Sequence, residues 1–213
     1  ASPFDQQSFI MDLSGVIEAK PTPALFELED SNGEPQLFMP RGKVAVLASE
    51  GGLGKSLLAL HLGVSLALNQ PTKLKSWCGR PLTPVPKSGK VILLYAEEDK
   101  QSCLYRLRQQ LAGVSGRVDP KLLEALSGRL IPVPLCITDR DVDSSLSLSD
   151  SIRSKEFGAE HRRNRLYKSL KEIAGDDGID LIVIDPLAQF GGSDFETDNG
   201  EASRLMRHLQ QLT

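Results

Sequence analysis

The residues with the most chemistry to offer are Ser49-Glu50-Gly51-Gly52-Leu53-Gly54-Lys55-Ser56, where glycines, a lysine and a hydroxyl follow the apolar stretch Val44-Ala45-Val46-Leu47-Ala48. A glycine-rich turn that opens a helix presents backbone N–H groups and the positive helix end to anionic oxygens. The lysine adds a charge for the outer phosphates, and the serine hydroxyl adds a ligand for magnesium. The ligand expected on this cradle is a nucleoside triphosphate with Mg²⁺. Glu50, Gly51, Gly52, Leu53, Gly54, Lys55, Ser56 and Leu57 are the nucleotide-binding residues, Lys55 also serves catalysis, and Ser56 holds the metal.

The run departs from the pattern G-x-x-x-x-G-K-S/T at its first position, which is Ser49. Small residues are still what the turn needs, and Gly51, Gly52 and Gly54 leave places where the backbone can take positive φ or approach a phosphate. Context carries the rest. Val44–Ala48 reads as a strand, and Leu57, Leu58, Leu60, Leu62, Val64, Leu66 and Leu68 read as a long helix after the turn. The competing reading is an ordinary glycine-rich strand-to-helix turn, which explains neither the lysine nor the serine.

A magnesium site needs an anionic partner for Ser56, and Asp180-Leu181-Ile182-Val183-Ile184-Asp185 offers one. Its apolar middle predicts a buried strand, and α/β sheets place ligands at the carboxyl ends of their strands. Asp185 is thus the second metal residue, while Asp180 is expected at the strand start, facing solvent. A second apolar run, Val91-Ile92-Leu93-Leu94-Tyr95-Ala96, ends at Glu97-Glu98-Asp99. Hydrolysis needs a carboxylate there to orient and deprotonate water. Glu97, the first acid after the strand, takes that catalytic role, with Glu98 in reserve and Asp99 as the cap of the next helix.

Other elements must position these groups. Leu25–Glu29 and Gln36–Met39 flank Asp30-Ser31-Asn32-Gly33, which predicts a small hairpin ahead of the phosphate loop. Residues 71–90, with four prolines and Trp77, read as a connecting loop in which Trp77 is a packing anchor rather than a base-stacking platform. Leu104, Leu107 and Leu111 predict a helix over about 100–112 stopped by Gly113, followed by a short helix at 122–126 and a short strand at 130–133. Residues 138–158 read as an exposed loop or insertion. A helix is expected from His161-Arg162-Arg163-Asn164-Arg165 to about Gly175, its basic start a solvated face rather than a phosphate contact, and a last helix at 200–212. The chain divides into a lead-in, 1–40, and an α/β domain, 41–213.

Composition sets limits on the partners. With 25 Lys+Arg against 28 Asp+Glu, the 213-residue chain carries a formal charge of −3, so any nucleic-acid contact must be local. Cys78, Cys103 and Cys136 stand far apart with no C-x-x-C pair, which argues against a zinc site and a disulfide framework. No run of membrane-spanning length and no signal peptide is seen, so no membrane partner is expected and a soluble, cytoplasmic location is. The first residue is Ala rather than Met, as in a fragment.

Together these motifs resemble the RecA-like ATPases and, within them, the RepA-type replicative DNA helicases of plasmids and phages. The resemblance runs from about residue 38 to the end and rests on Glu50–Ser56, on Gly89-Lys90-Val91 through Tyr95-Ala96-Glu97-Glu98-Asp99, and on Asp180–Phe190, with Gly191–Asn199 similar to the family's acidic loop. It implies an α/β fold with a RecA-like P-loop NTPase core, a mostly parallel sheet flanked by helices behind the hairpin lead-in. It also implies ATP as the nucleotide, phosphate binding by Lys55, Mg²⁺ on Ser56 and Asp185, and water activation by Glu97. The implied partners are single-stranded DNA and further copies of the chain in a hexameric ring. A regulatory or DNA-repair ATPase that switches assembly without unwinding is the alternative. The family's sensor histidine and arginine finger would lie beyond Thr213, so the domain is expected to be truncated at its C-terminus; His208 is not a substitute.

Overall fold

Val91, Ile92, Leu93 and Leu94 offer water no polar side chain on either side of a strand, and all four are fully buried. They form the centre of a three-layer core. The computed structural model describes residues 20–68, 76–77, 80–84, 89–134, 149–154, 158–163 and 165–187, together with Ser203, Met206, Leu209 and Gln210. In chain order the elements are β1 (Ala24–Glu29), β2 (Pro35–Pro40), α1 (Lys55–Leu68), β3 (Ser76–Trp77), β4 (Arg80–Pro84), β5 (Lys90–Tyr95), α2 (Lys100–Ser115), α3 (Pro120–Leu126), β6 (Leu130–Pro134), β7 (Ser149–Ser154), β8 (Gly158–Arg163), α4 (Arg165–Ala174), a 3₁₀ turn (Gly175–Asp177) and β9 (Ile179–Asp185).

The parallel sheet runs β6-β5-β9. Successive β5 residues point to opposite faces, so Val91, Leu93 and Tyr95 join Leu60, Val64, Leu66, Leu111 and Leu126, contributed by α1, α2 and α3. Ile92 and Leu94 join Leu170 of α4 and Leu209 on the other face. Helices thus cover both faces, as a buried parallel sheet requires. Gly63 lets α1 lie close to β5, because a β-carbon there would stand 2.9 Å from Leu93 Cδ2. The pairing sets Tyr95 level with Asp185, and Ala96 N–H donates to the Asp185 carbonyl at 3.0 Å. This register brings the two acid-bearing strand ends to one edge.

The predicted hairpin is present as β1 and β2, with the Asp30 carboxylate accepting from the N–H groups of Asn32 and Glu34 across the turn. It belongs to a larger antiparallel sheet, β2-β1-β4-β3, since β4 pairs with β1. Residues 76–77 and 80–84, expected as loop, are therefore strands. Prolines at 81 and 84 did not prevent this, since Pro81 is registered with β3 alone and Pro84 ends the strand, registered with β1 alone.

Several expectations are corrected. Val44–Ala48 forms no strand; its residues are irregular, with Val46 66% and Leu47 48% exposed. An apolar, β-branched segment becomes a strand only where a neighbouring edge takes its hydrogen bonds, and β9 is described pairing with β5 alone. Asp180 does not face solvent. The register passes from Lys90↔Ile179 to Val91↔Leu181, leaving Asp180 as the extra residue of a bulge, where Arg41 and Arg129 pair with its carboxylate and its side chain is 4% exposed. Gly113 lies within α2, which instead ends at Gly116 in the left-handed conformation, φ 78°. The inward stripe of that helix is Cys103, Leu107 and Leu111, while Leu104 is exposed. Part of the expected loop at 138–158 and the expected helix start at His161 form the β7–β8 hairpin, and α4 begins at Arg165. Trp77's side chain, Pro71, the acidic loop 191–199 and most of 200–212 lie outside the described residues.

Candidate nucleotide-binding site

Gly52 and Gly54, with φ of 77° and 81°, give the loop before α1 a curve that residues with a β-carbon adopt only under strain. No atom lies within 4 Å of where their β-carbons would stand, so the conformation requires glycine there and crowding does not. Inside this curve Lys55 donates from Nζ to the carbonyls of Ser49 and Glu50, both at 2.8 Å. Its ammonium is thereby held against the loop that should cradle phosphates. Leu58 N–H donates to the Gly54 carbonyl at 3.0 Å, so the helix ladder starts at the loop's last glycine and the N–H groups before it take no part in that ladder.

Ser56, Glu97, Glu98, Arg106, Asp185 and Pro186 line one cleft of about 180 Å³. Ser56 comes from the first turn of α1, Glu97 and Glu98 follow β5, and Asp185 ends β9. Three predicted residues and the reserve acid are thus brought together, although their positions in the chain are far apart. Lys55 is not part of this lining; it opens α1 and bonds to the carbonyls of the loop before it.

Environment separates the two glutamates. Glu97 is exposed, whereas the Glu98 side chain is 13% exposed, ion-paired to Arg106 and within 3.8 Å of the Cys103 thiol. Burial pushes the Glu98 carboxyl above its ordinary range against the opposing pull of Arg106, and Asp185 adds to the rise. Cys103 is pushed up to about 11, first by burial and then by Glu98. Tyr95 moves the same way for the same causes, and its buried hydroxyl has no hydrogen-bond partner among the described residues. Asp99 caps α2 as expected, its carboxylate accepting from Ser102 N–H at 2.7 Å.

Sequence reasoning missed Arg106. A signal was present: once Asp99 is the cap, Cys103 and Arg106 lie three residues apart on one side of α2, the side that meets Glu98. Reading the helix only for its leucines hid that side.

The loop and cleft fit a magnesium nucleotide. An open glycine curve with a lysine suits phosphate oxygens. A hydroxyl and a carboxylate, Ser56 and Asp185, on one cleft are the oxygen donors that suit an ion which takes one or two protein ligands and fills its shell with phosphate and water. Ser56 and Asp185 would be those ligands. Among the described residues no helix is long and apolar enough to cross a membrane.

The profile of the AAA domain family matches residues 32–213, which takes in the loop, the cleft and the whole parallel sheet. Comparison with curated proteins finds no match, and comparison with solved structures finds none. The chain belongs to the AAA domain family, and the match supports a P-loop ATPase domain.

Proposed function

We propose that this domain hydrolyses ATP with Mg²⁺ to drive a RepA-type replicative helicase, moving on single-stranded DNA as part of a hexameric ring. The observation that carries the hydrolytic part is the convergence of Ser56, Glu97 and Asp185 on one cleft beside the Lys55 loop. Lys55 exchanges its loop carbonyls for the outer phosphates. Ser56 and Asp185 hold the metal, which when bound supplies charge neutralisation at the phosphoryl oxygens. Glu97, exposed in the cleft, orients water and takes its proton, while Glu98 is engaged by Arg106.

Support for the DNA partner is local, as the charge of −3 demands. The local candidate is the sequence run His161-Arg162-Arg163-Asn164-Arg165, whose cationic residues suit a phosphate backbone as the alternative to a solvated face. The full protein is tested for ATP-dependent strand displacement on a forked duplex, with Glu97→Gln as control. Displacement by the unaltered protein alone upholds the reading. DNA-stimulated turnover without displacement replaces the helicase with the assembly switch, and no turnover at all removes both.

A further inference from the structure

Among the described residues Arg106 is the one cation that lines the cleft, where it stands with three carboxylates, Glu97, Glu98 and Asp185. Its helix is anchored next to the site, since the Asp99 cap follows Glu98 directly. Arg106 therefore stands about two turns into α2, on the side of the helix that meets Glu98. The Arg106 side chain is 45% exposed although its partner Glu98 is 13% exposed, and the pair engages Nη1 alone of a guanidinium that carries five N–H donors. Glu98 also has the Cys103 thiol as a partner, so it does not depend on Arg106 alone.

We propose that Arg106 determines how strongly the site prefers a nucleoside triphosphate to a diphosphate, with Glu98 and the terminal phosphate as competing anions for its guanidinium. This rests on the nucleotide reading above. A water-orienting Glu97 must adjoin the terminal phosphate, and Arg106 lines the same small cleft as Glu97 and Ser56. A diphosphate lacks the group that competes with Glu98, so the pair persists when it binds. A triphosphate supplies a multiply charged anion that arginine can hold through two parallel N–H donors.

The test measures the affinities of the β,γ-imido analogue of ATP and of ADP, each with Mg²⁺, for the unaltered protein and for Arg106→Ala, Arg106→Lys and Glu98→Gln. Arg106→Ala is expected to weaken the triphosphate analogue by about 10-fold or more and ADP by less than about 2-fold, the loss of a charge-assisted contact made by one ligand only. Arg106→Lys should restore part of the difference. Glu98→Gln removes the competing charge and should tighten the triphosphate relative to ADP, the opposite sign. A purely structural ion pair would move both affinities together and lower thermal stability in both Ala and Gln variants. An unchanged ratio of the two affinities overturns the proposal, whereas failure of the unaltered protein to bind either nucleotide overturns the nucleotide reading itself.

Discussion

Gly89 sits so close to Asp180 that a β-carbon at position 89 would lie 2.7 Å from the Asp180 carboxyl carbon and 2.9 Å from its backbone nitrogen. Asp180 cannot step aside, because Arg41 and Arg129 hold its carboxylate and its backbone is the bulge at the start of β9. Gly89→Ala should therefore destabilise the fold by about 1–3 kcal/mol, an overpacking cost without a cavity. Urea unfolding checks this, and an unchanged midpoint would mean that the bulge yields.

Lys55 contacts two loop carbonyls at 2.8 Å, and these lie in the exposed loop rather than in the core. Lys55→Ala should leave thermal stability within about 0.5 kcal/mol, as for a surface change, while weakening ATP binding by about 10-fold or more. Titration with a fluorescent ATP analogue separates the two effects. Equal affinity in the variant would remove the lysine from the phosphate site.

Glu97→Gln keeps the size of the side chain and removes the base. Nucleotide affinity should stay within about 2-fold, and turnover in the full protein should fall by about 10² or more. Steady-state ATPase assays alongside equilibrium binding check this. Were Glu98→Gln the more damaging change to turnover at saturating ATP, the water-orienting role would pass to Glu98.

Alkaline pH should weaken the fold through Cys103 and Tyr95. Both have folded values raised above their ordinary ones, Cys103 from 9.0 to about 11, so the folded state favours their neutral forms. Their contribution is complete below about pH 9 and is lost as the pH rises toward 11 and beyond. With Cys78 and Cys136 replaced by serine, Cys103 should react with a thiol reagent at pH 8.5 only as fast as the protein opens. The fall in melting temperature between pH 8.5 and 10.5 should be shallower in Cys103→Ala, and an equal fall would assign the loss to other groups.

The sequence made the chemistry more legible than the connections. Lys55, Ser56 and Asp185 stand beside glycines or at the end of an apolar run, and such local signals are enough to place them at a helix start and a strand end. The strand expected at Val44–Ala48 was not found because propensity says nothing of whether a sheet edge is available to pair with it. Asp180 was misread for a related reason. A carboxylate at a strand start looks solvated until Arg41 and Arg129, remote in sequence, close on it. Strands β3 and β4 were hidden by prolines that β4 accepts because each is registered with one neighbour alone, and Arg106 by attention to an apolar stripe that in the fold does not include Leu104.

The level ends of β5 and β9 also bear on how the domain comes into being. Ser56, Glu97 and Asp185 belong to three separate elements, and what sets the two acids side by side is a parallel ladder between strands distant in the chain. Such ladders close only after a long loop has been immobilised, which makes them late and slow events in folding. A chain with α1 formed and β9 undocked keeps Ser56 but lacks the Asp185 carboxylate, one of the two metal ligands proposed above. Any ligand that needs all three groups selects the finished domain from the ensemble and stabilises it by mass action, without favouring its partly folded forms.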